Sequence, residues 1–297
     1  MLKRILTAVV LLAVVLGTLF GLRQLSLFYV DALILICMAV GVYEMFGAFK
    51  AAKFRPMAIP LIIAVVGIYP ALWFLRETGI VAVIALSVMI ALTIFTFDHK
   101  YELKDFLSTA FILFYPIVLL SIFFLINGKT TIGDNPVNEN YGDMIGIMLA
   151  LFIPVFTDTF AYFTGMAIGG KKLCPEISPK KTIAGAVGGL IGGMAASVMI
   201  FLLFDYYGVF DNMGNVHTLA LTTNLYTSLA VYLVIGFVGA VVSEVGDLAA
   251  SWIKRKAGIK DFGKIFPGHG GIMDRLDSIL FVLPVVYITF AIINAVE

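Results

Sequence analysis

Between Ser251 and Ser278 the chain reads SWIKRKAGIKDFGKIFPGHGGIMDRLDS, a concentration of charge in a protein that is otherwise 61% hydrophobic. Lysine and arginine hold phosphate groups, aspartate holds divalent metal, and glycines on both sides of His269 let backbone approach a ligand closely. Just upstream, Glu244, Asp247, Ser251 and Lys254 recur at intervals of three, four and three, which puts them on one helical face. Two carboxylates one turn apart repel unless a proton or cation intervenes, and a metal ion is the economical partner. Asp274 and Asp277 lie three apart where the next apolar run begins. Either could cap that helix, but two together beside Arg275, in company with two more acids, favour metal. His269 is expected to contact phosphate, and with no neighbouring histidine a His-based metal site is improbable. Lys260 is expected to meet phosphate and Asp261 to position the loop.

A second polar stripe runs through Asp158, Tyr162, Gly165 and Gly169, spaced four, three and four. A carboxylate inside a membrane costs roughly 2.5 to 3.5 kcal/mol unless it is paired, hydrated or bound to a cation, so Asp158 is also a metal candidate. The stripe leads into GGKKLCPEISPKKTIAG, where Lys171, Lys172, Lys180 and Lys181 are interrupted by Pro175 and Pro179 before a helix starts at Thr182. Lysines beside a helix amino terminus suit an anion, which meets point charges and free backbone donors together. The ordinary reading of such a loop is retention on the cytoplasmic side, and the two readings stand even on composition. Gly185, Gly189 and Gly193 form a small-residue seam expected to serve helix packing.

These groups must be held by membrane helices. A mean hydropathy of +1.03 over 297 residues with 13% charged side chains is beyond what a water-exposed surface tolerates. The expected class is all-α, a polytopic membrane protein of about nine spans near 5–22, 26–48, 57–75, 79–97, 107–127, 144–168, 183–206, 225–250 and 273–295. Seventeen of the twenty Lys and Arg residues then fall on one side, leaving Arg23, Arg76 and Lys129 on the other. The positive-inside rule makes the richer side cytoplasmic, with the amino terminus inside and the carboxyl terminus outside. The first run, after Lys3 and Arg4, is expected to be retained, since no small-residue cleavage site follows it. Residues 1–143 read as a scaffold of about five helices and 144–297 as a catalytic membrane domain of about four, with two basic cytoplasmic loops.

Within the scaffold Asp31, Glu44 and Asp98 sit near predicted helix ends, where snorkelling or headgroup contact satisfies them. Residues 127–143 and 211–224 are turn-rich, solvated connectors. Cys37 and Cys174 are too few and too separated for a disulfide framework or zinc site. Topology accounts for the basic residues, so no nucleic-acid partner is expected. No internal repeat is evident to support an inverted-repeat transporter.

The stretch from Ser251 to Ser278 resembles, essentially along its length, the hallmark sequence of phosphatidate cytidylyltransferases, also called CDP-diacylglycerol synthases. TDTFAYFTGMAIGGKKLCPEISPKKT is similar to that family's upstream conserved region, so the resemblance covers about 158–185 and 243–281. It implies transfer of a cytidylyl group from CTP to phosphatidate, giving CDP-diacylglycerol and pyrophosphate, with magnesium required and a second metal ion left open. By the same likeness Asp247 and Asp274 correspond to metal-binding acids, with Asp277 close by. The lysines of both loops correspond to phosphate contacts, and Thr182, Ser251, Lys254, Arg255, Asp261, Gly270 and Arg275 complete the expected nucleotide site. The chain departs at Ala250 and Ala184, where the family often has Glu, and at Met166, where it often has a basic residue.

A phosphomonoester with a second pKa near ~6 is mostly dianionic at neutral pH and needs no strong general base. The obstacle is repulsion between two anions, which metal and lysines relieve. The expected setting is a bacterial-type cytoplasmic membrane with the active site facing the cytoplasm, and a homodimer is left open. The nearest rival is a CTP-dependent polyprenol or other lipid kinase, releasing CDP rather than pyrophosphate. A rival of another class is an ion-coupled transporter whose pathway is lined by Asp158, Glu244 and Asp247. A CDP-alcohol phosphotransferase is disfavoured because its DGxxAR opening is missing.

Overall fold

A computed structural model describes residues 9–10, 13–26, 28–127, 142–208, 224–266, 268 and 270–296. Eight helices among them are long and apolar enough to cross a membrane. In chain order they are α1 Phe28–Ala51, α2 Ala58–Leu75, α3 Glu77–Phe97, α4 Leu103–Asn127, α5 Gly142–Ile168, α6 Ile183–Tyr206, α7 Leu225–Lys256 and α8 Met273–Val296. Among the described residues the only sheet is a hairpin, β1 Lys172–Cys174 against β2 Ser178–Thr182. The protein is therefore an all-α polytopic membrane protein. The expected run at 5–22 falls partly on residues outside the described set, and its described end is a π-helical turn, Gly17–Gly21.

Contacts divide the chain into two compact units, Met1–Phe124 with Ile253–Leu276, and Leu125–Trp252 with Asp277–Glu297. In the first unit, α4 opens with a reciprocal cap between Glu102 and Asp105. Asp105 is buried and accepts from the amides of Arg55 at 2.7 Å and Glu102 at 3.0 Å, which ties the loop before α2 to the start of α4. Further along α4, a π-helical stretch at Leu113–Val118 contains Pro116, whose missing N–H and bulky ring disturb the regular ladder.

The second unit is held by small residues. A methyl group at Gly188 would overlap Thr164, and one at Gly192 would lie 2.6 Å from the Phe156 carbonyl, so α5 and α6 touch backbone to backbone. Gly193 likewise brings α6 close to α7, a methyl group there lying 2.9 Å from the Gly236 carbonyl, and Gly246 brings α7 against the Asp277 carbonyl of α8. The expected glycine seam thus serves helix packing, and it extends onto the neighbouring helix.

Helix α7 continues past the expected end at 250 to Lys256, so Glu244, Asp247, Ser251 and Lys254 belong to one helix. Three basic residues in its last turn suit the negative end of the helix dipole. Gly258, at φ 68°, then ends it, and the Ile259 amide donates back to the Lys254 carbonyl at 3.0 Å.

Candidate active site

In the second unit three carboxylates, Asp247, Asp158 and Glu244, act on Lys181. The β1–β2 hairpin carries Lys171, Lys172 and Lys180 as exposed side chains, while Lys181 turns inward and is 21% exposed. Its Nζ lies 2.6 Å from Asp247 Oδ2 on α7. Burial alone would lower the pKa of this ammonium. Asp247, followed by Asp158 and Glu244, more than offsets that, and the net displacement is upward from 10.5. Lys181 is therefore held protonated among three carboxylates.

Thr182 closes the hairpin and caps α6, its Oγ1 accepting from the Gly185 amide at 3.0 Å. The helix thus begins where the sequence places it, and the hydroxyl is engaged in that cap. Glu244 is buried, with 9% residual exposure, and its Oε1 has no hydrogen-bond partner among the described residues. It lies against Gly189 of α6, where a methyl group would meet this oxygen. Asp277, also buried, accepts the Ser278 amide at its Oδ1 at 2.9 Å. Ser251 is half-buried on α7, one turn beyond Asp247.

The first unit holds a separate constellation in the charged loop. Lys254 Nζ lies 2.8 Å from Asp274 Oδ1 and 5.2 Å from the centre of the Phe262 ring. The other oxygen, Oδ2, accepts from the Phe262 amide at 2.8 Å and the Gly271 amide at 2.9 Å. Both side chains are largely buried, with Asp274 only 5% exposed. The carboxylate thus binds loop amides ahead of the helix, together with a lysine, and the amides of Ile272 and Met273 at the helix start go to Glu44 instead. Gly270 at φ 84° passes this carboxylate so tightly that a side chain would meet Oδ2 at 2.7 Å. Arg255, Lys260, Asp261 and Arg275 are exposed, and His269 lies outside the described residues.

Two acids stand out that the expected site omitted. Glu244 shares the α7 stripe with Asp247, so its spacing is the signal that marks it. Glu44 was read as a helix-end residue, yet α1 runs on to Ala51 and buries it to 3% exposure. It accepts from the Ile272 amide at 3.1 Å and the Met273 amide at 2.9 Å, so it does not snorkel. An ionisable residue two turns inside an apolar helix was the available signal.

For a hard divalent cation the donor chemistry fits, since carboxylate oxygens are its natural ligands and Glu244 Oε1 is buried with no hydrogen-bond partner among the described residues. Among the described residues no three such side chains form a ready-made metal cluster, and lysines neutralise Asp247 and Asp274 instead.

Helices of this length and apolarity define a multi-pass membrane protein. Residues 2–293 match the profile of the cytidylyltransferase family, and the chain belongs to that family. It is similar to the phosphatidate cytidylyltransferase of Thermotoga maritima, 35% identical over 161 residues, 54% of each chain. It is similar also to that of Staphylococcus aureus (strain COL), 40% identical over 142 residues, 48% of this chain and 47% of the relative. The Brucella abortus protein of the same name is 38% identical over 136 residues, 46% of this chain and 43% of the relative. The chain spans about half the length of the curated relatives it matches.

Proposed function

We propose that this protein transfers the cytidylyl group of CTP to phosphatidate, giving CDP-diacylglycerol and pyrophosphate. The observation that carries the reading is the pairing of lysine with aspartate at two loops rich in phosphate-binding residue types, Lys181 with Asp247 and Lys254 with Asp274. Membership of the cytidylyltransferase family and relatives named phosphatidate cytidylyltransferase support it.

The reaction joins two anions. A phosphatidate oxygen attacks the α-phosphorus of CTP as the bond from that phosphorus to the bridging oxygen of pyrophosphate breaks. The monoester dianion is already nucleophilic, so no side chain needs to remove a proton. Positive charge and orientation are what the protein must supply. Lys181 supplies a permanent charge, because its carboxylate neighbours keep it protonated. Lys254 supplies a second, held in direction by Asp274 and the Phe262 ring. Lys171, Lys172, Lys180 and Lys260 are exposed and free to swing toward polyphosphate.

Asp247, Asp274, Asp277 and Asp158 are the carboxylates we assign to magnesium, which when bound would neutralise phosphate charge. We assign the working side to the cytoplasmic face of a bacterial inner membrane, with the amino terminus inside, a reading that the concentration of basic residues in these loops supports. The decisive experiment incubates purified protein with CTP labelled in the α-phosphate, magnesium and phosphatidate. A labelled liponucleotide with stoichiometric pyrophosphate is expected. Release of CDP with a phosphorylated alcohol would make the protein a lipid kinase, and ion flux in vesicles lacking CTP would make it a transporter.

A further inference from the structure

Glu44 and Asp274 grip the same two pieces of chain. The Phe262 amide donates to Asp274, and the next residue, Gly263, lies where any side chain would collide with the Glu44 carboxylate. Three consecutive amides follow the same division. Gly271 donates to Asp274 Oδ2, Ile272 to Glu44 Oε1 and Met273 to Glu44 Oε2. Gly271, like Gly263, leaves no room for a side chain beside Glu44. Residues 262–263 and 271–273 are therefore clasped by two carboxylates, one at the helix start itself and one from a helix more than two hundred residues earlier in sequence.

The chemistry of Glu44 suits that task. Amides at the start of a helix have no partner within it, and a carboxylate satisfies two of them while opposing the positive end of the helix dipole. Such charge-assisted bonds are roughly twice as strong as neutral ones. Glutamine at this position offers one acceptor oxygen and turns its amide nitrogen toward an N–H that needs an acceptor. Moving residues 262–263 or 271–273 moves the donors that fix Asp274, and with Asp274 goes the lysine paired to it.

We propose that Glu44 is a positioning residue for the transfer reaction. It sets the direction of the Asp274 carboxylate and the Lys254 ammonium through the chain segments at 262–263 and 271–273. The proposal rests on the reading of Asp274 and Lys254 as groups of the cytidylyl-transfer site.

The test uses the full-length chain in lipid nanodiscs and compares wild type, Glu44→Gln and, as a reference, Asp274→Asn. Lys254 is labelled with a water-soluble amine reagent and read by mass spectrometry against Lys181, whose partner Asp247 is untouched by either substitution. Labelling of Lys254 is expected to rise several-fold in Glu44→Gln, toward its level in Asp274→Asn, with Lys181 unchanged. Turnover per folded molecule is expected to fall about tenfold or more, in kcat rather than in KM for phosphatidate, since displacement of a reacting group acts on the transition state.

Wild-type labelling of Lys254 in folded Glu44→Gln overturns the proposal, as does an equal rise at both lysines, which signals general loosening. Selective labelling with unchanged kcat overturns it as well. If the labelling behaves as expected but the wild-type protein makes no liponucleotide from CTP and phosphatidate, the cytidylyl-transfer reading falls and the structural hold of Glu44 on the pair stands. Should Glu44→Gln fail to fold, Gly271→Ala displaces the same carboxylate from the turn side. It is expected to give the same Lys254-selective labelling, and its absence there overturns the proposal.

Discussion

Lys181 and Asp247 meet at 2.6 Å with 21% and 26% of their side chains still exposed. A partly exposed ion pair adds little to stability, about 0 to 1 kcal/mol. Its removal is therefore expected to be felt in function first. Lys181→Met should fold with a melting midpoint close to wild type while CTP turnover falls about a hundredfold, on the order of 2.7 kcal/mol of lost electrostatic stabilisation. Thermal melts followed by circular dichroism, alongside liponucleotide synthesis, measure both quantities.

The lysine–aspartate pair in the charged loop is expected to behave differently. Asp274 is 5% exposed, and replacing it with Asn strands a buried Lys254 charge, a loss that in buried pairs runs to about 3–5 kcal/mol. Asp274→Asn should abolish turnover and also lower the melting midpoint, whereas Lys181→Met spares the latter. Near-normal activity of purified, folded Asp274→Asn would remove this acid from the chemistry.

The pH dependence follows from the sign at Lys181. Its folded pKa is raised above 10.5 because nearby carboxylates outweigh burial, so the protonated form is the one the fold stabilises. That contribution is fully present below the ordinary lysine value and is lost only as pH climbs through the higher folded value. Lys181 should thus add no limb to the activity profile between about pH 6 and 9. Comparing wild-type and Lys181→Arg profiles tests this, since arginine stays charged throughout. A limb in that window that disappears in the arginine variant would contradict it.

Manganese offers a spectroscopic view of the carboxylates independent of turnover. Both Mn²⁺ and Mg²⁺ prefer oxygen donors, so Mn²⁺ binding by paramagnetic resonance should weaken at least about tenfold in Asp247→Asn and in Asp274→Asn. Unchanged affinity in a folded variant would exclude that aspartate as a ligand.

Helix packing gives a purely structural prediction. A side chain at Gly246 would lie 2.7 Å from the Asp277 carbonyl and 2.9 Å from the Phe281 ring. Gly246→Val should destabilise by about 1–3 kcal/mol or more through overpacking, visible as a lower melting midpoint and poorer extraction as a monodisperse species.

Much of this architecture was legible in the chain. Apolar runs long enough to span a bilayer announce α1 to α8 within a few residues, because every backbone polar group in hydrocarbon must be satisfied within its own helix. The Thr182 helix start and the glycine seam followed from capping chemistry and four-residue spacing. The hairpin between them did not, since its strands are three and five residues long and carry Pro179, tolerated because both strands of a two-stranded sheet are edges. The π-helical stretches at Leu113–Val118 and Leu202–Tyr206 leave no pattern in hydropathy. The lysine partners of Asp247 and Asp274 depend on contacts distant in sequence, which spacing does not encode. Glu44 escaped for the same reason: its donors lie at residues 272 and 273.

Two ammonium groups already matched to aspartates have a consequence for any anion that binds at either one. It must evict the carboxylate, so binding at each lysine is an exchange of counter-ions and not capture by bare positive charge. A phosphate dianion brings more charge than the carboxylate it displaces, whereas a singly charged anion such as chloride does not. Each pair therefore discriminates by charge before shape.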